Sequence, residues 1–299
     1  MVSRDTFSSC HPTVNFLYFG LVLLFTMCFD HPLTRVVSLA GALCYDLYLN
    51  GHKAAGFTLK YMVPMLLLTA IINPAFSHEG ITILTYLPSG NPLTLESILF
   101  GGAAALMLVA VVLWFGCYNT VMTSDKFVYL FGRVIPALSL VLSMTLRFVP
   151  KFRAQIHSVS EAQRCVGRDI SNGSVLQRLK NGVTILSIMV TWTLENAIET
   201  ADSMRGRGYG LPGRTAYSIY RFDERDKMAL LWLAFCGVTI IGAWIAGGFY
   251  WRWYPSVKFA PFYPLVICFH LVYFALCFTP LAMDIYADRH WNQIQKGET

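Results

Sequence analysis

Charge is what this sequence has least of. Asp, Glu, Lys and Arg make up 13% of its 299 residues, about half the ~25% of a soluble domain, and 55% of the chain is hydrophobic. A water-soluble globular protein is excluded. Strict apolar/polar alternation is missing too, which removes a membrane β-barrel. The apolar residues gather instead in runs near the ~20 that a helix needs to cross hydrocarbon. The fold class is therefore all-α and polytopic. The eight cysteines, at 10, 28, 44, 117, 165, 236, 268 and 277, include no Cys-x-x-Cys pair, and most lie in apolar runs, where cysteine packs as a small hydrophobe. The seven histidines never fall two to a helical turn, so the sequence offers no local histidine site for a metal. It has no GxxxxGK[ST] phosphate loop. No small-residue cleavage site follows the first apolar stretch, which is expected to remain as a membrane helix.

What charge there is lies unevenly. The net charge is +6, and all the excess comes from one stretch: Asp125 to Lys227 holds fifteen Lys and Arg against nine Asp and Glu, while the rest holds eight of each. That placement, between membrane runs, speaks against nucleic acid as the partner. Four apolar runs precede it, about 13 to 29, 33 to 49, 59 to 77 and 95 to 118, and two follow, about 228 to 249 and 261 to 283. Positively charged loops stay cytoplasmic. With NGHKAAGFTLK inside and SHEGITILTYLPSGNP outside, the loops agree on six spans in the cell membrane with both termini in the cytoplasm. The expected domains are a membrane domain over 1–124, a cytoplasmic coupling-helix domain over 125–227 and a second membrane domain over 228–299. Asp46, near the lysine-bearing end of its run, reads as interfacial. The WRWYP cluster at 251–255 reads as an outer interfacial anchor. Pro74, in TAIINPAF, sets the angle at which the third run leaves the membrane.

The basic stretch holds two long helical patterns. The first starts at Pro136 and runs to about Gly167, apolar at first and then polar, with Pro150 inside it implying a kink. The second runs from about Ser174 to Arg207, with Leu176, Leu179, Val183, Leu186, Val190, Leu194, Ala197, Ala201 and Met204 stepping by three or four along one face. Between them RDISNGS supplies turn and cap chemistry, with Gly173 at its centre. At about 1.5 Å per residue the second helix is about 50 Å long and too polar to lie in lipid. A pair of amphipathic helices packed on the cytoplasmic ends of the spans, with another face for a partner, is expected.

The two patterns end alike, in EAQRCVGRD and in ADSMRGRGYG. Each ending suits ordinary helix termination: glycine past the end accepts a left-handed conformation, and arginine in the last turn complements the dipole. Each also presents a guanidinium at the tip of a rigid helix, a planar multi-donor plug for an acid-lined groove.

On NPAFSHEG, LPSGNPLTLES, TLRFVPKF, EAQRCVGRD and ADSMRGRGYGLPGRT, over nearly its whole length, the chain resembles the transmembrane T component of energy-coupling factor transporters, related to the cobalt-transport Q-type permeases. The resemblance implies cytoplasmic helices crossing in an X. Each would end in a short Ala-Arg-Gly motif docked into one of two ATP-binding-cassette ATPases. By position the second motif falls on Gly206, Arg207 and Gly208, with Arg205 beside it, and the first on Cys165, Val166 and Gly167. The first lacks its own arginine, and Arg164 and Arg168 flank the slot, with Arg164 favoured. The resemblance also implies a non-catalytic subunit with no cofactor of its own. ATP and Mg would sit on the ATPases, and a small membrane S component would capture a vitamin or transition-metal ion.

Two other classes stand beside this one. A polytopic membrane enzyme, such as a lipid-modifying transferase, wants clustered acids or histidines. Asp223, Glu224 and Asp226 cluster, but Arg221, Arg225 and Lys227 interleave with them, which reads as a solvated, self-paired surface segment. A conventional ABC permease would need polar residues facing inward from several spans, and the last two spans show little of that.

Overall fold

The computed structural model describes residues 6–77, 79–86, 92–132, 136–171, 173–212, 220–259, 263–295 and 297. His78 and residues 87–91 of the expected outer loop, Asn172 of the turn and residues 213–219 lie outside the described residues. In chain order the helices are α1 (Pro12–Cys28), α2 (Pro32–Asn50), α3 (His52–Phe57), a π-helix (Thr58–Met62), α4 (Val63–Phe76), α5 (Leu95–Val121), α6 (Ser124–Gly132), α7 (Pro136–Cys165), α8 (Val175–Gly206), α9 (Glu224–Ile245) and α10 (Pro264–Gln295). Two antiparallel hairpins, β1 (Ile83–Tyr86) with β2 (Pro92–Thr94) and β3 (Trp251–Arg252) with β4 (Lys258–Phe259), sit between helices. The protein is an all-α polytopic membrane protein. It divides into two compact units, one of Met1–Thr123 with Tyr220–Thr299, the other of Ser124–Ile219.

The first unit carries the apolar helices. Ala54–Phe76, Leu95–Val121, Glu224–Ile245 and Pro264–Gln295 are each long and apolar enough to cross a membrane. Helix α1 has 17 residues, slightly under the usual length, and α2 has 19 but holds Arg35 and Asp46. All six expected runs are thus helical.

Contacts at the helix ends show that these six segments alternate in direction. At one end the His31 ring meets Trp251 and His270, and Ser77 and Phe100 meet Tyr254. That gathers the α1–α2, α4–α5 and α9–α10 connections. At the other end the Phe7 N–H donates to Asp284 at 2.8 Å, the His11 N–H to Asp226 at 3.0 Å and Ser8 Oγ to the Val121 carbonyl at 3.4 Å. Tyr48 bonds Asp288 there as well.

Large side chains fill the interior between these ends, with Tyr18, Tyr45, Trp114 and Tyr273 fully buried. A polar network runs among them: Trp114 Nε1 donates to Ser38 Oγ at 2.9 Å, Ser38 and Thr26 share a bond of 2.6 Å, Thr26 meets the Tyr273 hydroxyl at 3.2 Å, and the Tyr18 hydroxyl donates to the Cys277 carbonyl at 3.1 Å. A buried hydroxyl without such a partner costs about 1–3 kcal/mol, so the network ties α1, α2, α5 and α10 to one register. Helices α4 and α5 approach closely where Pro74, buried in α4, faces Gly101. A Cβ at Gly101 would stand 2.9 Å from the Ala70 carbonyl oxygen. That carbonyl is the one four residues back, whose helical donor the Pro74 ring lacks.

Three local expectations change. Asp226 is 2% exposed, so the 223–227 segment is not simply solvated. Its carboxylate closes a capping box with Asp223 at the start of α9 and also accepts from His11. Trp253 is buried against Phe100 rather than presented at the surface. Asp46 is buried in the last turns of α2 and accepts from Asn50 Nδ2 at 2.8 Å.

Candidate functional site

The two long helices of the second unit form as the apolar spacing predicts. Helix α7 begins at Pro136, where a missing N–H is harmless, and continues without a break through Pro150 to Cys165. Helix α8 starts after Ser174, whose hydroxyl accepts from the Gln177 N–H at 3.4 Å. The turn between them is pinned to α8: Arg178 Nε donates to the Ile170 carbonyl at 2.7 Å and Asn181 Nδ2 to the Asp169 carbonyl at 2.9 Å. Gly173 supplies a left-handed residue there, at φ +99°. Farther along, Lys151 Nζ donates to Asn196 Oδ1 at 3.1 Å and Phe152 meets Trp192 edge-on. Helices α7 and α8 are therefore an antiparallel pair.

Their endings share one backbone motif. After α7, Gly167 takes φ +80°, its N–H donates to the Arg164 carbonyl at 3.0 Å, and the Arg168 N–H reaches the Gln163 carbonyl at 2.9 Å. After α8, Gly208 takes φ +83°, its N–H donates to the Arg205 carbonyl at 3.0 Å, and the Tyr209 N–H reaches the Met204 carbonyl at 3.0 Å. Both are Schellman closures with glycine in the left-handed place. The hydrogen bonds align the two ends residue by residue: Arg164 with Arg205, Cys165 with Gly206, Val166 with Arg207 and Gly167 with Gly208.

The aligned positions differ in their surroundings. Arg205, Arg207, Arg164 and Arg168 are all exposed. Arg164 Nε stands 3.4 Å from Asp169 Oδ2. The Ser171 hydroxyl and N–H, bonded at 2.6 and 2.9 Å, hold the Asp169 carboxyl below its ordinary range, and Arg164 adds to the effect. Asn181, near the α7 ending, is 26 residues from Arg207 along α8, or about 40 Å. The two tips thus stand at opposite ends of one lever.

Helix α8 also shows which of its faces is used. Asn181, Ile185 and Met189 are buried. The expected apolar seam is not: Leu176, Leu179, Val183, Leu186, Val190 and Leu194 are 52–82% exposed. A regular apolar stripe left open on a stable helix marks a surface that something else covers.

A model of the CbiQ family, described as cobalt transport protein, matches residues 6–217. The chain belongs to that family. As a CbiQ-family member it is a multi-pass membrane protein of a transport system, and the match includes both helix endings. It is 27% identical over 242 residues to the energy-coupling factor transporter transmembrane protein EcfT of Lacticaseibacillus paracasei, covering 76% of this chain and 86% of that protein. It is 24% identical over 228 residues to EcfT 1 of Listeria monocytogenes serotype 1/2a, covering 72% and 79%. A denser match, 34% over 97 residues, covers 32% of this chain and 35% of the EcfT protein of Lactobacillus helveticus.

Of the other residues singled out by sequence, Pro136 and Pro150 lie in α7 and Gly173 in the turn of the second unit, while Pro74 lies in the α4–α5 contact of the first. One meeting was not legible in the spacing. His31 Nδ1 and His270 Nε2 stand 3.4 Å apart although 239 residues separate them. Among the described residues no three His, Cys, Asp or Glu gather as a metal site.

Proposed function

We propose that the chain is the energy-coupling transmembrane component of an energy-coupling factor importer. The ends of α7 and α8 dock into two ABC-type ATPase subunits, which bind ATP and Mg, and the helix pair carries their closure to a separate S component in the membrane. The S component holds the cargo, a vitamin or a transition-metal ion. This chain selects no substrate and hydrolyses nothing. The orientation that goes with this role puts both termini and the helix pair, crossing in an X, on the cytoplasmic side.

The observation that carries the reading is the pair of matched endings at opposite ends of one antiparallel helix pair. A guanidinium at each tip suits an acid-lined groove, and a stiff pair of helices turns a rigid-body movement at its tips into one along its length. Arg207 with Gly206 and Gly208, and Arg205 beside them, form one plug. Arg164, Gly167 and Arg168 form the other. The open apolar stripe on α8 supports the same reading, because the S component needs a surface to rest on. The names of the relatives agree with it.

Purification of the chain from its own membranes in mild detergent tests this directly. Two ATPase subunits and at least one small membrane protein are expected to come with it. Recovery of a lone chain with enzymatic turnover overturns the proposal.

A further inference from the structure

The imidazoles of His31 and His270 cannot satisfy their hydrogen bonds as neutral rings. His270 Nδ1 lies 2.8 Å from the Val266 carbonyl, which can only accept, so that nitrogen carries a proton. A neutral His270 then has a lone pair at Nε2. His31 Nδ1, 3.4 Å away, is an acceptor as well, because it caps α2 by taking the Leu33 N–H at 3.2 Å. Two lone pairs therefore face each other where His31 is only 2% exposed. One additional proton, on His270 Nε2, turns the conflict into a hydrogen bond and leaves the Val266 and Leu33 bonds in place.

The spacing decides against other occupants. A metal ion shared by two imidazoles, at ~2.0 Å from each, needs the nitrogens about 4 Å apart, and a bridging water, at ~2.8 Å from each, holds them farther apart still. The gap of 3.4 Å takes only hydrogen. The surroundings accept one positive charge there, since the Phe249 ring centroid stands 5.0 Å from that of His270, within the reach of cation–π attraction. They refuse a second, for His31 is held down to about 4 by its burial and by His270. Of the charged groups on the neighbouring elements, Asp30 is taken by Arg35 at 2.6 Å. Arg252 donates to the Tyr254 carbonyl at 2.6 Å and lies opposite Lys258 in the β3–β4 ladder. Tyr273, a turn along α10, shares its hydroxyl with Thr26, and Cys28 at the end of α1 is exposed. Among the described residues no carboxylate is bonded to His270.

We propose that His31 and His270 form a proton-binding site, which holds one proton between the two rings at neutral pH and so joins the start of α2 to α10. The pair titrates as a unit. Loss of its proton as the pH rises sets acceptor against acceptor and loosens the contact between the α1–α2 connection and α10.

Nitrogen-15 NMR of the full-length protein, labelled at histidine and held in lipid nanodiscs, tests this at pH 7.5, with the His270 signal assigned by its loss in His270→Gln. An isolated histidine is about one-tenth protonated there. Relief of the facing acceptors favours the protonated form by about tenfold, so about half of His270 should carry protons on both nitrogens. In His31→Asn, which keeps a cap for α2 on a shorter side chain, that fraction should fall back to about one-tenth. Thermal unfolding gives a second readout. Below about pH 6.5 the unfolded chain binds a proton on each histidine and the folded pair binds one, so stability falls with falling pH; above it the folded pair binds one and the unfolded chain none, so stability falls with rising pH. The difference in Tm between the unaltered protein and the His31→Asn, His270→Gln double variant should therefore pass through a maximum near pH 6.5. A His270 no more protonated than an isolated histidine overturns the proposal, as does a protonated fraction unchanged in His31→Asn, or a Tm difference that rises with pH and then levels off. Should the double variant fail to fold, the spectra still decide.

Discussion

At the end of α7 the Arg168 N–H reaches back to Gln163, and at the end of α8 the Tyr209 N–H reaches back to Met204, each past a glycine near φ +80°. The residue at the cap between them is Val166 in the first case and Arg207 in the second. Because the same closure forms around a valine, the arginine is not needed to end the helix. The backbone asks only for glycine, and the charge at Arg207 is placed independently of it. At α7 the cations stand at Arg164, two residues before Val166, and at Arg168, directly after Gly167, and Arg164 is engaged by Asp169. The comparison separates a structural requirement that both endings share from a charge that they distribute differently.

The strongest way to break that separation is to reverse the charge and leave the closure alone. We predict that Arg207→Glu lowers ATP-driven uptake by at least about tenfold, the scale of a lost charge pair in a docking contact, while substrate binding by the S component is unchanged. Uptake assays in proteoliposomes beside a binding assay measure both. Full uptake by the Arg207→Glu protein would reduce Arg207 to a helix cap.

A second test asks which cation serves at the other end. Arg164→Glu is predicted to lower uptake several-fold and Arg168→Glu less, because Arg164 aligns with Arg205 in the shared closure and lies on the helix itself. Val166→Arg, which copies the α8 cap, should restore part of the loss in the Arg164→Gln background. An Arg168→Glu protein with the larger defect would reverse the assignment.

Much of this was written in the sequence, and the limits are physical. Apolar runs near the length of a span, and a seam stepping by three and four, depend on local periodicity, so all six apolar runs and both long helices are helical where expected, and four of the runs lie in helices long and apolar enough to cross a membrane. The glycine endings are local too, since αL closure needs only neighbours in the chain. Which face of α8 is covered was not legible. Periodicity shows that Leu176 to Leu194 share a face, but not whether this chain or another one buries it. Asp226 misled for the same reason: interleaved signs suggested solvent, whereas its burial depends on His11, 215 residues away. The meeting of His31 with His270 likewise follows from the packing of α2 against α10.

Glycine replacement sharpens the comparison at the level of the backbone. A Cβ at Gly208 would stand 3.1 Å from Leu211 Cδ1, whereas one at Gly167 meets nothing within 4 Å. Both substitutions incur the left-handed strain of about 1 kcal/mol; Gly208→Ala adds the contact. Hydrogen exchange at residues 204–209 is therefore predicted to accelerate more in Gly208→Ala than exchange at 163–168 does in Gly167→Ala. Equal acceleration would mean that Leu211 moves aside freely.

The smallest effect is expected at Asp169, and it bears on whether its contact with Arg164 restrains the arginine or aims it. Asp169→Asn should keep the turn, because an amide oxygen still accepts the Ser171 N–H, while removing the charge beside Arg164. If the contact only restrains, uptake stays within about twofold of the unaltered protein, as for a surface pair worth little. If the contact aims Arg164 at its receptor, uptake falls toward the Arg164→Glu level. The pH dependence supports the choice of an amide over titration. Ser171 and Arg164 hold the Asp169 carboxyl below its ordinary value of 3.8. Its contribution is therefore present above that value and is lost only as the pH falls through the lowered one. Exchange protection of residues 163–171 should be flat from about pH 5 to about pH 8, once the intrinsic rate is divided out. A midpoint within that range would assign the transition to a group other than Asp169.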